Sequence, residues 1–266
     1  MIDIKKMFDE NEKPLDNLVE DGGFCKIFRT IGCVGDSLSS GEFESLDDEG
    51  KKGWHDMYDY SWGQYIARTC GSTVYNFSRG GMSAKWYMRT YADEKDFWNK
   101  DKACQAYIFA LGVNDILGQK PPVGSIDDIK DDWFENNHTF AGYYGAIIQR
   151  LKEIQPHAKF FFMTMPYSGN AERDKLHDAH AEFLYDLTKK FNNSYVLDIR
   201  KYGPVYDEEF RDKFFMGGHL NPMGYVYTAK VVMSYIDYII RHDMESFKQV
   251  PFIGTTLKNS SVKVEK

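Results

Sequence analysis

Positive charge, cysteine and long apolar runs are all scarce in this chain, and each shortage excludes something. The 33 Lys and Arg fall short of the 40 Asp and Glu, which leaves a net charge of −7. That balance argues against nonspecific nucleic-acid binding, which needs basic surface, and against adhesion to anionic lipid. Only four cysteines occur, Cys25, Cys33, Cys70 and Cys104, and none has CxxC spacing. They read as buried structural thiols rather than a metal or redox site. No apolar run approaches the ~20 residues of a membrane span. The opening Met1-Ile2-Asp3-Ile4-Lys5-Lys6-Met7-Phe8 lacks the apolar stretch of a secretory signal, so the chain as given reads as cytoplasmic, with no membrane partner.

What is present is a substantial apolar complement: 42% of the 266 residues are hydrophobic and 16% aromatic. This fits one large α/β domain. Five apolar runs read as buried parallel strands: Ile27–Val34, Thr73–Phe77, Ala106–Leu111, Lys159–Met165 and Tyr195–Ile199. Helical patterns lie between them at Trp54–Cys70, Phe140–Gln155, Glu172–Phe191 and Met223–Ile240. The clearest is Phe140–Gln155, where Tyr144, Ile147, Ile148 and Leu151 share one stripe and Pro156 follows the end. Alternation of this kind predicts a three-layer α/β/α sandwich, flavodoxin-like, around a five-stranded parallel sheet. Residues 1–25 read as an extension packed on a domain of residues 26–245, with a tail over 246–266. The irregular stretch 118–137, with Pro121-Pro122 and the pairs Asp127-Asp128 and Asp131-Asp132, reads as a surface insertion or, alternatively, a lid.

The most informative string is Gly35-Asp36-Ser37-Leu38-Ser39-Ser40-Gly41, directly after the first strand. A serine in a glycine-flanked turn at a strand end can project its hydroxyl into a cleft beside free backbone N–H groups. That is the chemistry of an activated nucleophile next to an oxyanion hole. Three companions follow: Asn76-Phe77-Ser78-Arg79-Gly80-Gly81, Gly112-Val113-Asn114-Asp115, and His219-Leu220-Asn221-Pro222-Met223-Gly224-Tyr225. In a parallel α/β sheet, ligands sit beyond the carboxyl ends of the strands. Ser37, Gly81 and Asn114 follow the first, second and third strands, and His219 lies just before the last helix.

These four blocks, in this order, resemble the SGNH (GDSL) esterase and acylhydrolase family over about residues 29–225. The resemblance implies Ser37 as nucleophile and His219 as base. It also implies an oxyanion hole of the Ser37 N–H, the Gly81 N–H and the Asn114 side chain. The residue types suit those roles. A glycine lets its N–H approach substrate closely, and an asparagine amide is a donor that does not titrate. The alternatives are a capping serine, a turn glycine, a loop-bracing asparagine and a loop histidine.

One position departs from the family pattern. An Asp normally stands three residues before the base, where it holds the imidazole tautomer and stabilises the imidazolium. Here that position is Met216. A backbone carbonyl near Met216 is the favoured substitute, with Asp207 and Asp212 as alternatives. Asp36 and Asp115 are expected to bond loop backbone instead. Met82, Trp86 and Tyr87 read as pocket lining or core. The other histidines form no ligand pattern, and His177 and His180 read as exposed helix residues. No metal and no cofactor is implied.

The function expected is a serine esterase that removes a small acyl group, acetate for instance, from a carbohydrate or other small molecule. A lysophospholipase-like acylhydrolase is the alternative within enzymes. A catalytically impaired binding protein of the same fold, suggested by Met216, is the alternative outside them. The partner implied is a small-molecule ester.

Overall fold

The computed structural model describes residues 4–119 and 122–260. The first three residues of the N-terminal extension, Lys120 and Pro121 of the insertion, and positions 261–266 of the tail lie outside that range. The described residues form nine strands: β1 Thr30–Gly35, β2 Glu42–Leu46, β3 Lys52–Asp56, β4 Thr73–Ser78, β5 Ala106–Ala110, β6 Lys159–Met163, β7 Ser194–Leu197, β8 Phe215–Met216 and β9 His219–Leu220. Six helices matter for the site and the layers: α1 Ser37–Ser40, α2 Trp62–Cys70, α3 Phe140–Ile154, α4 Ala171–Lys190, α5 Glu208–Phe214 and α6 Pro222–His242.

Five strands form one parallel sheet in the order β4-β1-β5-β6-β7. These strands are apolar on both faces because helices cover both faces. In β6, Phe160 and Phe162 point into the layer that holds Tyr144, Ile147 and Leu184, while Phe161 points to the opposite layer with Ile66, Val232 and Ile236. Alternate side chains of a strand face opposite ways, so a single Phe-Phe-Phe run serves two cores. The three-layer α/β/α sandwich of flavodoxin-like strand order is thus the observed fold. Order reverses at β1, which pairs with β4 on one side and β5 on the other. A crevice therefore opens beyond the carboxyl ends of β1 and β5.

The strand ends differ by one to three residues from the sequence pattern. Residues Gly23–Ile27 form a 3-10 turn ahead of β1, and β7 stops at Leu197 because Asp198 caps the short helix Ile199–Tyr202. A larger difference concerns the expected helix Trp54–Cys70. Only its second half is helical, starting at Trp62 behind the N-cap Ser61, whose side chain accepts from Gln64 N–H. Residues Lys52–Asp56 instead pair antiparallel with Glu42–Leu46. The hairpin turns through Asp47 to Gly50, where Asp47 accepts from the backbone N–H of Glu49 and Lys51 and Gly50 adopts φ 78°. One face of this hairpin is anchored by Phe43, which packs edge-on against Tyr60 and Tyr225. The other face carries Glu42 and Glu44, with Asp56 and Trp54 as their cross-strand partners.

The N-terminal extension packs along α6. Arg241 pairs with Glu12 and Asp237, and Val19 N–H donates to Ser234 Oγ. In the tail, Phe247, Val250 and Ile253 are buried in the core layer of α2 and α6. The described part of the 118–137 insertion is braced onto α3. Ile129 is buried, Asn136 bonds Gly142 O and Gln149, and Asp128 accepts from Thr139. Among the described residues no helix is long and apolar enough to cross a membrane, and the four cysteines are buried and free.

Candidate active site

β1 ends at Gly35, and Asp36 caps the four-residue helix α1 whose first residue is Ser37. Asp36 accepts from Leu38 N–H at 3.1 Å through its side chain, and its carbonyl accepts from Ser39 and Ser40 N–H. A Cβ at Gly35 would collide with the Ser39 hydroxyl, so glycine is what lets the turn close this tightly. The Ser37 N–H, at the first helical position, has no intrahelical acceptor to satisfy. Ser37 itself is 9% exposed. Burial pushes the Asp36 carboxyl up to about 7. Asp36 thus serves the loop backbone, as its position beside the serine suggests.

The loops after β4 and β5 hold each other. Asp115 accepts from Ala84 N–H with both carboxylate oxygens, at 3.2 and 3.0 Å, and Asn114 Nδ2 donates to Met82 O at 3.0 Å. One of the two amide N–H bonds of Asn114 is spent on this brace. Gly81 has φ 70° with open space around a hypothetical Cβ, so backbone conformation rather than crowding favours glycine there. Of the three residues considered as pocket lining, Met82 and Tyr87 are buried core residues and Trp86 is 43% exposed. Beneath the β5 loop lies His180, whose Nε2 meets Leu111 O at 3.2 Å. His177 Nδ1 meets Pro166 O at 2.9 Å. Both histidines are buried, contrary to expectation. They lie on one stripe of α4 with Leu184 and Leu187, a 3-4-3 spacing that marks the packed face.

His219 sits in β9, paired in register with Met216 across a turn in which Gly217 has φ 70°. Its Nδ1 lies 3.0 Å from Glu44 Oε1, which also accepts from Gly218 N–H at 2.6 Å. Glu44 is therefore the carboxylate that orients the imidazole. This overturns the expectation of a backbone carbonyl near Met216 and of Asp207 or Asp212. Asp207 is occupied as N-cap of α5, accepting from Phe210 N–H at 2.9 Å, and Asp212 is exposed on the same helix. The Met216 side chain is 44% exposed. Hydrogen bonds from Gly218 and His219 hold the Glu44 carboxyl below its ordinary range. The other ring nitrogen, Nε2, lies 3.0 Å from Glu42 Oε1, and burial raises the Glu42 carboxyl.

Two further residues fix this frame. Tyr225, fully buried at the start of α6, donates its hydroxyl to Glu42 O at 2.8 Å and lies 3.5 Å from Ser37 O. It ties the Ser37 turn to the hairpin that carries Glu42 and Glu44. Asn221 caps α6, accepting from Gly224 N–H, and donates to Lys213 O at 2.8 Å. Behind the site an apolar hollow of about 60 Å³ is lined by Leu38 and Leu220, neighbours of Ser37 and His219, with Trp62, Met163, Ile199 and Tyr227. Among the described residues no group of three or more His, Cys, Asp or Glu is placed to hold a metal ion.

The fold has solved counterparts. A family two carbohydrate esterase from Clostridium thermocellum, solved in complex with cellohexaose, superposes with a TM-score of 0.55 at 14% identity, covering 88% of this chain and 66% of that one. A carbohydrate esterase family 2 enzyme with a carbohydrate-binding domain from Corynascus thermopiles (Myceliophthora fergusii) gives 0.54 at 15% identity, covering 86% and 69%. The psychrotrophic esterase EstA from Pseudoalteromonas sp. gives 0.52 at 14% identity, covering 80% and 98%. At these identities the likeness establishes the fold. No curated protein matches the chain by sequence. The signature of the GDSL-like lipase/acylhydrolase family matches residues 33–227, most of the chain, and the protein belongs to that family of ester hydrolases.

Proposed function

We propose that the protein is a serine esterase that removes a small acyl group from a carbohydrate or other small polar alcohol. The observation that carries this reading is the 3.0 Å contact between Glu44 Oε1 and His219 Nδ1. With Nδ1–H donated to Glu44, the neutral imidazole presents Nε2 as the proton acceptor. Ser37 Oγ attacks the acyl carbon as its proton passes to Nε2, and Glu44 stabilises the imidazolium. The carbonyl oxygen becomes an oxyanion facing the Ser37 N–H, the Gly81 N–H and the free amide N–H of Asn114. Nε2 then gives the proton to the departing alkoxide, and a water repeats the sequence to release the acid.

A carbohydrate alcohol is supported by the carbohydrate esterases among the proteins of like fold. The alternative of an impaired binding protein rested on Met216, and Glu44 removes its motive by supplying a carboxylate from another strand. In this reading residues 26–245 form the catalytic unit and the terminal segments buttress it.

The test is acetyl-ester turnover in wild type and Ser37→Ala, with fluorophosphonate labelling. Wild type should release acetate and carry label on Ser37, and the variant should do neither. Label on another residue, or equal turnover in the variant, would overturn the assignment.

A further inference from the structure

The nitrogen of His219 that must accept the Ser37 proton is already in contact with a second carboxylate. Glu42 and Glu44 stand two residues apart on β2, so both side chains project from one face of the hairpin. Glu44 takes Nδ1 and Glu42 takes Nε2, each at 3.0 Å. One carboxylate is enough to orient an imidazole, so the second calls for its own explanation. With Nδ1–H given to Glu44, the contact between Nε2 and Glu42 Oε1 holds one further proton. While that proton stays, Nε2 has no free lone pair for Ser37.

Glu42 is also built into the loop that offers the oxyanion donors. Its Oε2 lies against Gly80, where a Cβ would collide with it, and Asp56 on the neighbouring strand accepts from Gly80 N–H at 3.3 Å. The backbone on either side is fixed through Tyr225, whose hydroxyl bonds the Glu42 carbonyl. Glu42 therefore stands at the reaction side of the site, between the base and the glycine loop. Two positions along the same hairpin face, Trp54 is paired with Glu44 and is 58% exposed. An exposed indole offers a flat apolar surface beside a pair of hydrogen-bond acceptors. That combination fits a sugar ring, which has an apolar C–H face and hydroxyl donors at its edge.

We propose that Glu42 is the specificity-determining residue for the alcohol side of the ester, exchanging its contact with His219 for the hydroxyl groups of a polyhydroxylated alcohol that packs on Trp54. This rests on the esterase reading above. As such a substrate binds, the proton between Glu42 and Nε2 passes to water. The freed carboxylate accepts from substrate hydroxyls, and the freed Nε2 accepts from Ser37. An ester whose alcohol has no hydroxyl donor offers Glu42 nothing in return and leaves it competing with Ser37 for the base.

The experiment compares acetate release from 6-O-acetylglucose, ethyl acetate and acetylcholine by wild type, Glu42→Ala, Glu42→Gln and Trp54→Ala. Losing hydrogen bonds to a charged acceptor should lower the ratio of kcat/KM for acetylglucose over ethyl acetate by about ten-fold or more in both Glu42 variants. In Glu42→Ala this should come partly from a rise on ethyl acetate, because nothing then contests Nε2. Trp54→Ala should lower the same ratio through KM for acetylglucose. Glu42→Gln, nearly isosteric, guards against loss of the fold as the cause. A ratio within about two-fold of wild type in both Glu42 variants would overturn the proposal, and so would a larger loss on acetylcholine than on acetylglucose. If fluorophosphonate still labels Ser37 while the ratio stays put, only the role of Glu42 falls. If wild type takes no label and releases no acetate, the esterase reading falls with it.

Discussion

Glu44 Oε1 and His219 Nδ1 meet at 3.0 Å although 175 positions separate them in the chain. The contact puts the carboxylate at Nδ1 on a hairpin that follows the Ser37 turn, rather than three residues ahead of the histidine.

Glu44→Gln should cut kcat by about 10²–10⁴ with little change in KM, because an amide can present the wrong hydrogen-bonding partner to Nδ1 and carries no charge for the imidazolium. Met216→Asp, Asp207→Asn and Asp212→Asn should leave kcat within about three-fold, since the Nδ1 site is already filled and fold-changes that small mark indirect effects. Steady-state kinetics on an acetyl ester decides it. A gain in Met216→Asp together with an indifferent Glu44→Gln would return the orienting role to the family position.

Asn114→Ala should lower kcat by about 10²–10³ through loss of an oxyanion donor. The same change breaks the Nδ2 bond to Met82 O, so stability should fall by about 1 kcal/mol in urea denaturation. If kcat holds and KM rises instead, Asn114 binds substrate in the ground state. If only stability changes, it is a loop brace.

The buried carboxyl of Asp36 makes stability depend on pH in a set direction. Its folded value, about 7, lies above the unfolded value of about 3.9, so the folded state binds the extra proton between them. Stability from this group is complete below about pH 4 and is lost as pH rises through about 7, by up to about 1.4 kcal/mol per pH unit. Asp36→Asn keeps the acceptor for Leu38 N–H and removes the titration. Urea midpoints from pH 4 to 8 should show wild type losing ground to the variant as pH rises. A difference that does not move with pH would mean that Asp36 titrates like an exposed aspartate.

The sheet and the Ser37 turn are legible because their signals are local. Apolar runs such as Phe160-Phe161-Phe162 can be satisfied only between two helical layers, and Gly35 before Ser37 answers to a crowded turn. The packed stripe of α3 follows from neighbours three and four residues away. The hairpin is less so: residues 54–56 fall within the helical pattern read over 54–70, although the helix begins only at Trp62, since two short strands reveal themselves mainly by pairing with each other.

The sequence by itself determined the layers, the strand-end positions of Ser37, Gly81 and Asn114, and the placement of His219 ahead of the last helix, because periodicity, glycine conformation and capping act within a few residues. Only the tertiary structure decided that Glu44 holds Nδ1, that Glu42 faces Nε2 and that His180 meets the carbonyl of Leu111 after β5. Those are contacts between distant segments, made where β2 lies beside β9 and α4 meets the loop after β5. The energy of a hydrogen bond depends on where two groups are brought together, and no spacing in the chain records that.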